Sequence, residues 1–120
     1  MGIKVVVFSA LIAIASVTAA YAADNTAVTS QNGWGNMAGT GQSGKRNFSG
    51  TLQVGGWNDS TTVQSGRRNV SGTAQFGFGN TSYTDQNGRG NVSGTLQFGH
   101  GNNSSTYQNG KGNSSVTVQY

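Results

Sequence analysis

Glutamine occurs at positions 31, 42, 53, 64, 75, 86, 97, 108 and 119 and nowhere else, so every interval is eleven positions. A period this strict, with no insertion from Gln31 to Tyr120, means that one local structure recurs and stacks on itself. Other residue types keep the same beat. A glycine follows each of the first eight glutamines by two positions: Gly33, Gly44, Gly55, Gly66, Gly77, Gly88, Gly99 and Gly110. An asparagine follows by five: Asn36, Asn47, Asn58, Asn69, Asn80, Asn91, Asn102 and Asn113. Serine stands two positions after each asparagine (alanine in the first unit, Ala38), and threonine two before each glutamine from Gln42 onward, as in Ser49 and Thr51 before Gln53. The unit is Q-x-G-x-x-N-x-S-x-T-x.

A slower period is superimposed. Lys45, Arg67, Arg89 and Lys111 are spaced twice as far apart as the glutamines, and so are Phe48, Val70 and Val92 and the column Val54, Phe76, Phe98 and Tyr120. The structural repeat is therefore the double unit, twenty-two positions long and made of two related halves. In each half the stretch N-x-S-x-T-x-Q alternates with period 2, which places asparagine, serine, threonine and glutamine on one face of a strand. The glycine and its neighbours form the turn. An 11-residue period also suits a helix of 3.67 residues per turn, but glycine, asparagine, serine and threonine in every unit oppose a helix. The expected fold is all-β: a β-solenoid of strand-turn-strand coils that polymerises into a cross-β amyloid.

Which face points inward follows from comparing the halves. The polar columns are the same in both, whereas the alternate slots hold Phe48, Leu52 and Val54 in one half but Asp59, Thr61 and Val63 in the other. Identical columns are expected to face each other inside. Coils ~4.8 Å apart then let Gln31, Gln42, Gln53, Gln64, Gln75, Gln86, Gln97, Gln108 and Gln119, with the eight asparagines and hydroxyls such as Ser49 and Thr51, form ladders along the axis. Such ladders satisfy groups that are costly to bury alone.

Composition supports a building block rather than a catalyst. The 120 residues include 20 glycines, no proline, no cysteine and no glutamate, with three acids (Asp24, Asp59, Asp85) and one histidine. That excludes disulfides and cysteine metal sites and leaves little for acid–base chemistry. No cofactor, metal or catalytic residue is expected. A short basic start, an apolar run over Val5–Val17 and Ala20-Tyr21-Ala22 have the layout of a secretory signal peptide. The run is shorter than the ~20 residues of a membrane span. The expected organisation is a signal at 1–22, a short leader at 23–30 and a repeat domain at 31–120, acting outside the cell.

Lys45, Arg67, Arg89 and Lys111 are expected to stack along one turn edge, as a solubilising line or a contact for anionic matrix polymers. Asp59 and Asp85 read as gatekeepers that moderate assembly. Trp34, Trp57, Phe78 and His100 fall near the opposite turn. The repeats show no atypical capping unit, and the stretch from Asn113 to Gln119 carries neither proline nor charge to blunt its edge.

Gln31-Asn32-Gly33-Trp34-Gly35-Asn36-Met37-Ala38-Gly39-Thr40-Gly41-Gln42 resembles the repeat of curlins, the subunits of bacterial curli amyloid fibres. Later units match with serine in the alanine slot, and Val116-Thr117-Val118-Gln119-Tyr120 is similar to a curlin ending. The resemblance covers the repeat region in eight units. It implies a secreted subunit, closer to the major one, that self-assembles into extracellular fibres for biofilm matrix and adhesion. Its implied partners are copies of itself, a nucleating subunit and an outer-membrane secretion pore. Rival readings are the nucleating subunit, an ice-binding solenoid, which needs a flat outward threonine array, and a solenoid enzyme acting on polysaccharide, which needs clustered carboxylates.

Overall fold

The computed structural model describes residues 4–10, 16–21 and 24–120. Every element in it is a strand. They are β1 (Lys4–Ala10), β2 (Ser16–Tyr21), β3 (Thr26–Trp34), β4 (Met37–Lys45), β5 (Phe48–Gly56), β6 (Asp59–Arg67), β7 (Val70–Phe78), β8 (Thr81–Arg89), β9 (Val92–His100), β10 (Asn103–Lys111) and β11 (Ser114–Gln119). Odd strands form one parallel sheet in the order β1-β3-β5-β7-β9-β11, here sheet A; even strands form sheet B, β10-β8-β6-β4-β2. Partners are one double unit apart throughout, as in Gln53 beside Gln75 and Gln64 beside Gln86. The fold is a β-solenoid of 22-residue coils, as the repeat requires.

From β3 to β11 the chain alternates sheets because successive strands are joined by a short arc of two residues. Strands run to nine residues, longer than the seven of N-x-S-x-T-x-Q, because they continue through the glycine. The asparagine lies in the arc instead. The tight bend falls one residue before it, in the left-handed region, at Gly35, Arg46, Trp57, Arg68, Gly79, Gly90, Gly101 and Gly112 (φ between 57 and 68°). The arcs are tied coil to coil by backbone bonds such as Asp59 N–H to the Asn80 carbonyl at 2.8 Å.

The first strand of the regular stack after β2 begins at Thr26, five residues before Gln31, because Ala27, Thr29 and Gln31 already carry the inward alternation. The segment read as a signal peptide falls partly outside the described residues. Within it, β1 and β2 lie in register beside β3 and β4, with Ser9 opposite Gln31 and Ala20 opposite Gln42.

Polar columns fill the interior. Glutamines 53, 64, 75, 86 and 97 are fully buried, as are asparagines 58, 69, 80 and 91, whereas Ala27 and Ala38 are the only buried apolar side chains among the described residues. Phe48, Leu52 and their partners face outward. The result is a thin slab, with Cα extents of 33 × 28 × 12 Å.

Candidate self-assembly site

The interior is held by two glutamine ladders. In sheet A, Gln31 donates from Nε2 to Gln53 Oε1 at 2.7 Å, and the chain continues Gln53 to Gln75, Gln75 to Gln97 and Gln97 to Gln119 at 2.8 Å each. In sheet B the ladder runs Gln42, Gln64, Gln86, Gln108 at 2.7–2.8 Å. The second Nε2 hydrogen crosses to the other sheet: Gln53 donates to the Met37 carbonyl at 2.8 Å and Gln64 to the Phe48 carbonyl at 2.9 Å. A carbonyl only accepts, so this bond fixes which amide atom is nitrogen and makes every rung point the same way. Glutamine is long enough to bond along its own column and across to the facing strand at once, which ties the two sheets together.

Asparagines stitch the arcs. Asn58 donates from Nδ2 to the carbonyls of Val54 (3.3 Å) and Gly77 (3.0 Å), and its backbone N–H donates to Asn36 Oδ1 at 3.1 Å. The same pattern recurs at Asn47, Asn69, Asn80 and Asn91. The hydroxyl columns behave differently. Ser49 lies 3.4 Å from Thr40, but Ser60, Thr62, Ser71, Thr73, Ser82, Thr84, Ser93, Thr95 and Ser104 have buried hydroxyl oxygens without a hydrogen-bond partner. The ladder is an amide ladder; the hydroxyls fill the interior beside it.

The eight glycines that follow glutamine by two positions sit at positive φ, between 103 and 126°. At Gly77 (φ +126°) a Cβ would also be driven into the carbonyl oxygen of Gly99 in the next coil. The column is required by close backbone approach as well as by backbone conformation. The sharper bend four positions after each glutamine lies outside the sequence-based expectation. Its signal is nonetheless present in the sequence, since five of the eight residues at that offset are glycine.

Lys45, Arg67, Arg89 and Lys111 are in register along one edge of sheet B. All four are exposed, with Arg46 and Arg68 in the adjoining bends. Asp59 and Asp85 lie half-buried on the outer face of the same sheet. Burial first, then the carboxylate of Asp85 and neighbouring Tyr107, push the Tyr83 phenol above its ordinary value of 10.0. At the opposite edge Phe78 stacks on His100 at 5.6 Å, and the Trp34 ring occupies the space a side chain on Gly56 would need. Trp57 lies over Gly35 in the same way. The threonine column Thr29 to Thr106 is buried, so it offers no outward array.

Asn113 is exposed, and Ser115, Thr117 and Gln119 are half-buried, whereas the same slots one coil earlier, Asn91, Ser93, Thr95 and Gln97, are buried. β10 and β11 are the outer strands of sheets B and A on that side. No group of three or more His, Cys, Asp or Glu side chains that could hold a metal ion occurs among the described residues. The chain matches no family model, no curated protein and no solved structure.

Proposed function

We propose that this chain is a secreted structural subunit that polymerises, end to end, into an extracellular amyloid fibre serving matrix and adhesion, in the manner of the curlins its repeat resembles. The observation that carries the reading is the polarity of the amide ladders. All rungs donate in one direction, so the glutamine columns have an acceptor end at Gln31 and Gln42 and a donor end at Gln108 and Gln119. The Gln42 Oε1 is buried without a hydrogen bond, and its register partner in β2 is Ala20. Removing the signal segment would leave that acceptor open. At the other end Gln119 uses one Nε2 hydrogen on the Asn103 carbonyl at 2.9 Å and keeps the second. A subunit presenting acceptors at one end and donors at the other stacks head to tail with an unbroken ladder, and the unpaired edges of β10 and β11 add backbone bonds.

The test is incubation of the purified chain from Ala23 onward, without the signal segment. Fibres are expected with cross-β diffraction at about 4.8 Å along the axis. Replacing Gln42 or Gln119 by alanine is expected to slow elongation more than replacing Lys45. A chain that stays a soluble monomer for days would overturn the reading. A nucleating subunit, as opposed to a major one, would abolish the lag of another curlin when added in trace.

A further inference from the structure

The two broad faces of the slab differ in charge. No Lys, Arg or Asp occurs in β3, β5, β7, β9 or β11, whereas each of β4, β6, β8 and β10 carries at least one. The outer face of sheet A is instead apolar and exposed: Phe48, Leu52, Val70, Val92 and Val118 each show more than a third of their surface. A ring stack, Phe76–Phe98–Tyr120 with centroids 5.2 and 5.8 Å apart, runs along it parallel to the solenoid axis. Natural monomers rarely leave so continuous an apolar face uncovered.

The face has relief. Gly50, Gly72 and Gly94 form one column, so a trench of about 540 Å³ runs along the axis. Leu52, Ala74 and Leu96 line one side and Phe48 the other, with Val70 and Val92 in register with Phe48 along the same column. We propose that the occupant of this face is the same face of a second copy, pairing two solenoids side by side in one fibre.

Size and shape support that choice of occupant. The five strands β3, β5, β7, β9 and β11, spaced ~4.8 Å apart and about 30 Å long, make a face that lets each copy bury on the order of 600 Å², or about 1,200 Å² in total, at the lower end of the range of stable specific interfaces. Neither copy brings a charge into the contact, so no ion is desolvated. The relief selects the symmetry. A two-fold axis along the strands sets like columns opposite each other, trench over trench. A two-fold axis parallel to the solenoid sets the Leu52–Ala74–Leu96 ridge of each copy into the glycine trench of the other, and the Phe48 column against the Val54–Phe76–Phe98 column. Only this second arrangement interdigitates as a dry zipper, and it is self-complementary, as a two-fold contact must be. It also keeps both solenoids pointing the same way, so both grow at the same end.

The pairing rests on self-assembly only for its setting in a fibre, and the test separates the two. The full chain, its signal segment included in the gene, is produced in an exporting host with three variants: Ala74→Lys and Gly72→Leu on sheet A, and Thr61→Lys on the outer face of sheet B. A side chain on Gly72 meets nothing within 4 Å in the subunit, so the leucine variant is compatible with the fold; circular dichroism checks this for all three. Fibre cross-sections are then counted by cryo-electron microscopy. Wild type and Thr61→Lys are expected to show two solenoids per fibre and the sheet A variants one, a twofold drop in mass per length. Single solenoids in wild type, or unchanged pairs in Gly72→Leu, overturn the proposal. Should no fibre form at all, the polymer reading fails on its own. Sedimentation equilibrium then decides the pairing: a dimer that Ala74→Lys dissociates supports it, and a wild-type monomer overturns it.

Discussion

Gln75 accepts from Gln53 at 2.8 Å, donates to Gln97 at 2.8 Å and donates to the Asp59 carbonyl at 2.9 Å, all with no exposure to water. Its near neighbour Ser71 is equally buried, yet its hydroxyl bonds to nothing. The two residues belong to equally regular columns, but their energetic roles are opposite. Truncating the glutamine orphans a donor on Gln53, an acceptor on Gln97 and a backbone carbonyl. Buried groups left without partners cost ~1–3 kcal/mol each, so Gln75→Ala is expected to destabilise by about 3 kcal/mol. Ser71→Ala removes a buried polar atom that has no partner, and should be neutral or stabilising by up to ~1 kcal/mol. Ala27 and Ala38 already occupy the serine slot in the first coil. Denaturant midpoints of the two variants check the contrast; equal losses would mean that the columns act alike.

At the scale of the strand and its arc, the repeat made most of the architecture legible. The double-unit coil, the parallel register and the polar interior all follow from columns that are the same in both halves, because only the buried face is held to one pattern. The position of the bend was less legible. The glycine two positions after glutamine reads as the turn, but there it serves contact between coils, and the bend comes two positions later. That slot tolerates side chains, which hid it: Arg46, Trp57 and Arg68 take φ of 57–60°. The split between working amides and idle hydroxyls was also not legible, since both alternate identically in sequence and differ only in reach. A non-glycine residue in the left-handed region costs roughly 1 kcal/mol. Arg68→Gly, at φ 57°, should therefore raise stability by several tenths of a kcal/mol to about 1 kcal/mol after the added entropy of the unfolded chain is subtracted. Thermal or guanidinium unfolding measures this, and a net loss would show that the guanidinium makes a contact worth more than the strain.

For the whole molecule, charge is sorted by face. Lys45, Arg67, Arg89 and Lys111 follow one another at the coil spacing along one edge of sheet B, while sheet A is neutral from β3 to β11. End-to-end docking brings the basic line of one subunit against that of the next. Two unit charges ~5 Å apart in water repel by about 0.8 kcal/mol, and the lines add further, weaker pairs. At low salt this opposes elongation without affecting the neutral face. At ~0.15 M salt the screening length is about 8 Å, shorter than the separation of all but neighbouring cations. Elongation of seeded fibres is therefore expected to quicken several-fold between ~10 mM and ~150 mM salt. Lys111→Gln, at the outer strand of sheet B, should flatten that dependence by raising the low-salt rate while leaving the high-salt rate nearly unchanged. The apolar contact between sheet A faces carries no charge, so the number of solenoids per fibre should stay constant over the same range. A rate indifferent to salt, or one that Lys111→Gln lowers at low ionic strength, would mean that the basic line assists docking rather than restraining it.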